Sequence, residues 1–212
     1  MKKLFISMIS NLLLLVIPLL AKPELILHTR TLTLAIGSII MWLTQPVFSI
    51  EQTKNEKSTD RFSVLLILLM SAISVITPVI DWAYFSNNTQ GISQLYIIGT
   101  SVMVFGLLIR AYSVQKLGSM FTPTVQIQSS HKLITDGPYA VIRHPSYLGA
   151  WIAFLGGTLV FDSWIGFVAA LAAMGIAYYV RIKIEEKELK SYFGKAYAEY
   201  AESTYAIIPF IW

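Results

Sequence analysis

The chain has 212 residues, 55% of them hydrophobic and 13% charged, with a mean hydropathy of +0.63, whereas soluble domains carry about 25% charged residues. So little polar surface cannot coat a water-facing particle, which excludes a soluble globular domain, a disordered chain and a collagen-like repeat. Sixteen Lys+Arg against twelve Asp+Glu give +4, a modest excess that the loops of a membrane protein produce with no nucleic-acid partner.

Four long apolar runs come first, at residues 4–21, 31–50, 62–80 and 92–112, each long enough to cross a bilayer as a helix. Lys2 and Lys3 before the first run also suit a secretory signal. That run is long for a signal, Lys22 and Pro23 follow at once and no clear cleavage site precedes them, so a retained helix is the better reading. Two shorter runs, 147–161 and 164–180, are separated only by Asp162 and Ser163 and must form an antiparallel helical hairpin. They reach about 23 and 26 Å, short of a hydrocarbon core of about 30 Å, so the pair spans incompletely or extends into the interface. Gly149, Gly156 and Gly157 would let a neighbouring backbone or a ligand approach the first helix of the hairpin. The expected fold is an all-α integral membrane protein with about six transmembrane helices, including a C-terminal hairpin.

With a cytoplasmic N-terminus, only Lys22 and Arg30 of the sixteen Lys+Arg fall outside. Both termini, the polar segment 113–146 and the tail after Arg181 then share the cytoplasmic face, in a prokaryotic inner membrane or the endoplasmic reticulum. Cysteine is absent, and His28, His131 and His144 lack metal-ligand spacing, so no metal is expected. Residues 1–91 carry no recognised motif, and residues 92–212 hold the polar residues on which chemistry depends.

Folding back the hairpin brings residues 143–147 near residues 181–186. His144 precedes Pro145 and is biased away from helix, while Pro145 suits a first helical turn. An interfacial cap is the simpler explanation of that tripeptide. Arg181 and Glu185 share a helix face, as an exposed ion pair would. Arg181, however, follows directly on Tyr178, Tyr179 and Val180, at a depth where an ionised group is costly without a partner or a water-filled cavity. Arg110 stands at the same position on the fourth run, and snorkelling is the alternative for it.

In order along the chain stand Leu117-Gly118, then His131, Lys132, Leu133 and Ile134, then D-G-P-Y from Asp136 to Tyr139. R-H-P-S-Y from Arg143 to Tyr147 follows, then R-I-x-x-E-E-x-x-L from Arg181 to Leu189, and F-G-x-x-Y-x-x-Y from Phe193 to Tyr200. This set, about half of the chain, resembles the isoprenylcysteine carboxyl methyltransferase family. The resemblance implies S-adenosylmethionine as methyl donor, held on the cytoplasmic side between the hairpin and the cytoplasmic segments. The chain accordingly shows no glycine-rich nucleotide loop after a strand. The implied cofactor contacts are Gln126, His131, Lys132, Leu133, Ile134, Tyr139, His144, Pro145, Ser146, Tyr147 and Glu185. Arg181 takes the family's substrate-contacting catalytic position, and Arg110 is a second candidate for binding substrate.

The implied acceptor is the carboxylate of an isoprenylcysteine-like or other lipophilic molecule. A carboxylate is already a nucleophile at neutral pH and needs no general base, which leaves positioning and desolvation as the main sources of acceleration. Related membrane families share R-H-P-x-Y and E-E. A phospholipid or small-thiol methyltransferase, an NADPH-dependent reductase of the sterol-reductase type and a non-enzymatic membrane subunit therefore stay open at this point.

Overall fold

The computed structural model describes residues 2–45, 58–86, 91–121 and 132–211, and every regular element among them is helical apart from one isolated parallel bridge between Ile142 and Tyr205. Helix α1 (Lys2–Asn11) runs into a π-turn at Leu12–Val16 and a 3-10 turn at Ile17–Leu19. Pro18 explains that sequence of turns: it has no N–H to continue the i to i−4 ladder, and the wide and tight turns absorb the change of register. Helix α2 (Thr29–Leu43) is capped by His28, whose Nδ1 accepts from the Arg30 amide at 3.2 Å. Helix α3 (Ser58–Ile80) continues as a π-turn at Asp81–Phe85. The Ser93 hydroxyl caps α4 (Gln94–Leu117), accepting from the Tyr96 amide at 2.9 Å. Helices α5 (Pro145–Val160) and α6 (Trp164–Phe193) form the expected hairpin, turning at Asp162 with φ +54°. Helix α7 (Lys195–Glu202) follows the left-handed Gly194.

Three stretches are long and apolar enough to cross a membrane: Asp60–Phe85, Gln94–Met120 and Trp164–Phe193. Lys3–Leu19, Thr29–Leu43 and Pro145–Val160 are shorter apolar helices. The first run is thus less regular than its composition predicts, because composition does not register the break at Pro18. The hairpin is asymmetric. Its first helix has 16 residues, and its second, with 30, outlasts the apolar run and rises about 45 Å. Side chains such as Phe5, Leu13, Phe62, Phe105, Val168 and Ile176 point outward and exposed, as a lipid-facing surface requires.

The tightest helix pairing joins α4 to α5. A side chain at Gly106 would meet Ala153 N and Gly149 O at 2.5 Å, and one at Gly149 would meet Arg110 N at 2.6 Å. Gly99 and Gly156 repeat the arrangement seven residues away on each helix, with Gly156 against the backbone of Met103 and Gly99. Four glycines therefore put two backbones in direct contact, which is the role small residues take between membrane helices. That contact sets Arg110 beside the start of α5.

At the hairpin-turn end, Arg30 is 1% exposed and pairs with Asp162 at 2.8 Å while donating to Val160 O at 2.9 Å. Ser93 donates to the second Asp162 oxygen at 2.6 Å, and Ser163 donates to Asp81 at 2.6 Å. Trp82 packs between His28 and Phe161, each ring centroid 5.1 Å away.

Candidate active site

The opposite end of the bundle collects the motif residues. Pro145 begins α5, so His144 is left non-helical at φ −123° and ψ 55°. The C-terminal tail holds that non-helical segment: Arg143 N–H donates to Tyr205 O at 2.8 Å, His144 N–H to Ala206 O at 3.0 Å, and Tyr205 N–H to Val141 O at 3.0 Å. The Arg143 side chain donates to Ala201 O at 3.0 Å, to Thr204 O and, through Nε, to Glu186 Oε1 at 2.7 Å. Glu186 also faces His144 Nε2 at 3.3 Å. One carboxylate of the E-E pair is thus committed to fastening the R-H-P segment to α6 and the tail.

The other carboxylate turns toward Tyr147. Tyr147 donates to Glu185 Oε2 at 2.7 Å and accepts from Arg181 Nε at 3.4 Å, so its hydroxyl links arginine to glutamate. The His144 Nδ1 atom lies 3.9 Å from the same glutamate oxygen. The rings of His144, Tyr147 and Tyr178 stack in series, with centroids 5.7 and 5.1 Å apart. Tyr139 is buried and donates to Ser113 O at 3.2 Å, while Tyr200 donates to Tyr139 O at 2.7 Å. Burial raises both phenols, Tyr200 to about 12, because an anion would lose its hydration there.

Arg181 is 3% exposed and forms an ion pair with Asp60 of α3, which is 5% exposed, and it also donates to Ser63 Oγ at 2.8 Å. This partner lies some 120 residues upstream, in the part of the chain without a recognised motif. An acidic residue at the start of an apolar run reads as a favourable charge in a first helical turn, and nothing in the sequence points it at Arg181. Arg110 is 3% exposed as well and does not snorkel. It donates to Thr44 Oγ1 at 3.0 Å and Ser146 O at 3.2 Å, with its guanidinium 5.8 Å from the Phe121 ring centroid.

Both arginines line one end of a partly open cavity of about 240 Å³ lined by residues of α1 to α6. Its walls are mainly apolar, with Leu34, Met41, Ile67, Met103 and Phe154 among them, and Tyr147, Tyr178 and Phe121 join the arginines at the polar end. Tyr147 therefore faces the cavity while bonding to Glu185.

Of the residues implied by the resemblance, Tyr139, His144, Pro145, Ser146, Tyr147, Arg181, Glu185 and Arg110 assemble around this end of α5. Lys132, Leu133 and Ile134 lie in a stretch without regular structure leading to the Gly137–Ala140 turn, the lysine exposed and the other two half-buried. Gln126 and His131 lie outside the described residues. Among the described residues no cluster of His, Asp and Glu is placed to hold a metal ion.

The family model for the isoprenylcysteine carboxyl methyltransferase (ICMT) family matches residues 97–191, which contain Arg110, His144, Tyr147, Arg181 and Glu185. Protein-S-isoprenylcysteine O-methyltransferase B of Arabidopsis thaliana is 30% identical over 154 residues, covering 70% of this chain and 78% of the relative. The protein-S-isoprenylcysteine O-methyltransferase of Tribolium castaneum is 33% identical over 162 residues, covering 73% of this chain and 56% of the relative. The corresponding Dictyostelium discoideum enzyme is 34% identical, and the chain spans 58% of its length. The solved structure of the eukaryotic intramembrane Ras methyltransferase ICMT superposes with a TM-score of 0.66 at 28% identity, over 95% of this chain and 73% of that one. The motifs around α5 and α6, the matched relatives and the shared helical fold together place this chain in the isoprenylcysteine carboxyl methyltransferase family, a family of membrane carboxyl methyltransferases.

Proposed function

We propose that the protein transfers a methyl group from S-adenosylmethionine to the carboxylate of a lipophilic, isoprenylcysteine-like acceptor. The observation that carries this reading is the cavity: an apolar chamber within the helices whose polar end bears two buried arginines and the tyrosine that bonds Glu185. An apolar chain fits the chamber and an anionic end group fits the arginines. The donor set also suits the cofactor. Glu185 is part exposed and offers a carboxylate to a cationic ligand, with His144 and Tyr147 beside it. His144, Pro145, Ser146, Tyr147, Glu185 and Tyr139 would hold it, together with Lys132, Leu133 and Ile134 and the implied Gln126 and His131.

The cofactor supplies an electrophilic methyl group. Arg181, held by Asp60 and Tyr147, would orient the acceptor carboxylate. The surrounding apolar walls keep water from the nucleophile. Transfer to a carboxylate oxygen would leave the donor's sulfur as a neutral thioether, so one negative and one positive charge would disappear together and no residue of the chain would have to move a proton.

In the same reading the chain crosses the membrane six times with both termini and the cofactor side cytoplasmic, residues 1–91 supply one wall of the chamber and residues 92–212 form the methyltransferase core. The decisive experiment incubates purified protein with methyl-labelled S-adenosylmethionine and an S-prenylcysteine, and titrates S-adenosylhomocysteine against NADPH. Ester formation with selective binding of S-adenosylhomocysteine is expected. Selective NADPH binding, or labelling of a phospholipid amine alone, would overturn the assignment.

A further inference from the structure

The end of the chamber away from the arginines has a floor. Leu34 of α2 and Met103 of α4 are buried there, and each fills the space left by a glycine. The Met103 sulfur lies 2.7 Å from where a side chain at Gly37 would begin, and Leu34 Cδ1 lies 3.0 Å from the corresponding point at Gly157. Beyond them Leu19, Val79 and Val160 are wholly buried in the same apolar cluster, so close packing continues toward the hairpin turn. The lining residues then set a length. Residues 147–157 of α5 and 64–75 of α3 run from the level of Arg181 to this floor, which at 1.5 Å per residue is about 15 and 16 Å. A carbon–carbon bond of about 1.5 Å at about 111° carries an extended chain forward roughly 1.25 Å, so about twelve carbons in line reach the floor. An isoprene unit places four carbons in line, and twelve correspond to three units.

We infer that Met103 and Leu34 gauge the acceptor, admitting an apolar chain of at most three isoprene units. The inference rests on the lipophilic acceptor proposed above and adds its length. Lipid tails are as apolar as the chamber walls, so leaving the bilayer does not in itself favour a longer chain. Fit decides instead. A chain that fills the chamber gains close contacts along its whole length, and a shorter one forfeits those at the floor. A longer one must displace Met103 and Leu34 from a packed core or coil on itself. The helix pairing does not depend on the Met103 side chain, because Gly156 meets that residue's backbone. The side chain can therefore be shortened while α4 and α5 stay paired.

The test sets S-prenylcysteines of one to four isoprene units in competition for the chamber, with S-adenosylhomocysteine present. Each probe is held at the same mole fraction in detergent micelles, which removes differences in partition. Wild-type protein is expected to bind the three-unit probe about fivefold more tightly than the four-unit probe. Met103→Ala deepens the floor and should reverse that order with S-adenosylhomocysteine affinity retained. Gly37→Ala adds a methyl at the floor against the Met103 sulfur. It should weaken the three-unit probe about threefold relative to the two-unit probe, which keeps the test decisive if Met103→Ala does not fold. Equal binding of the three- and four-unit probes by wild type, or a length preference left unchanged in either variant, would overturn the gauge while the lipophilic acceptor stood. Binding of none of the four probes would instead overturn the acceptor reading and the gauge with it.

Discussion

The two ends of the helical bundle use the same buried residue type to opposite effect. At the hairpin turn, Arg30 meets Asp162 and Asp162 is also fixed by Ser93, so the charge is spent on holding α2, α4 and the α5–α6 turn together. At the motif end, Arg181 is balanced by Asp60, but Arg110 beside it meets only neutral partners among the described residues, and a chamber opens next to both. A buried arginine is therefore no sign of function by itself. What distinguishes the ends, among the described residues, is whether each guanidinium meets a carboxylate and whether there is space beside it.

The most drastic way to break the contrast is to remove the spine shared by both ends. Gly156→Val puts a branched side chain into the backbone of Met103 and Gly99, and no folded monomer should be recovered on size-exclusion chromatography. Next in size, Asp162→Ala leaves Arg30 buried and unpaired and should cost about 3 kcal/mol or more. A thermal melt should fall steeply while methyl transfer per folded molecule stays near the wild-type value, because the proposed site lies at the other end. Asp60→Asn should show the reverse pattern within its folded fraction: Arg181 loses its fixed orientation and methyl transfer falls about a hundredfold, with S-adenosylhomocysteine affinity little changed on calorimetry. Equal loss of turnover in Asp162→Ala and Asp60→Asn would erase the distinction between the ends.

Smaller effects sharpen the comparison. Sidedness is readable because the chain contains no cysteine: an impermeant thiol reagent applied outside should label Ser86→Cys and spare Thr135→Cys. The slightest change is expected at Tyr200, whose hydroxyl fastens the tail to Tyr139 O at 2.7 Å. Its folded-state value, about 12 against 10 for a free phenol, lies above the unfolded one. Its contribution is thus complete below pH 10 and lost as pH rises through about 12. Tyr200→Phe should cost about 1 kcal/mol and flatten stability across that window.

Much of the motif end was legible in the sequence because its logic is local. The spacing of Arg181 and Glu185 and the Pro145 start of α5 follow from helix geometry, and the two-residue turn at Asp162 and Ser163 compels α5 and α6 to lie side by side. Asp60 was not legible, since its partner is fixed only when α3 packs on α6, and one acidic residue at a helix start has an ordinary explanation. The division between Glu185 and Glu186 was also hidden. Adjacent carboxylates look equivalent in a sequence, and only the returning tail, with Ala201 and Thr204 bonded to Arg143, commits Glu186 to structure. Pro18 was visible, but its influence on the first helix is a matter of backbone register that hydropathy does not measure.

The bridge between Ile142 and Tyr205 has a consequence in time. A ribosome delivers residues in order, and α1 to α6 leave the exit tunnel before residues 203–207 do. Until those residues arrive, Arg143 and His144 lack the carbonyls of Tyr205 and Ala206 that hold their backbone. A nascent chain can therefore have α1 to α6 formed and still lack the fastening that holds the segment before α5. The start of α5 is fastened only once residues 203–207 have emerged to meet Arg143 and His144.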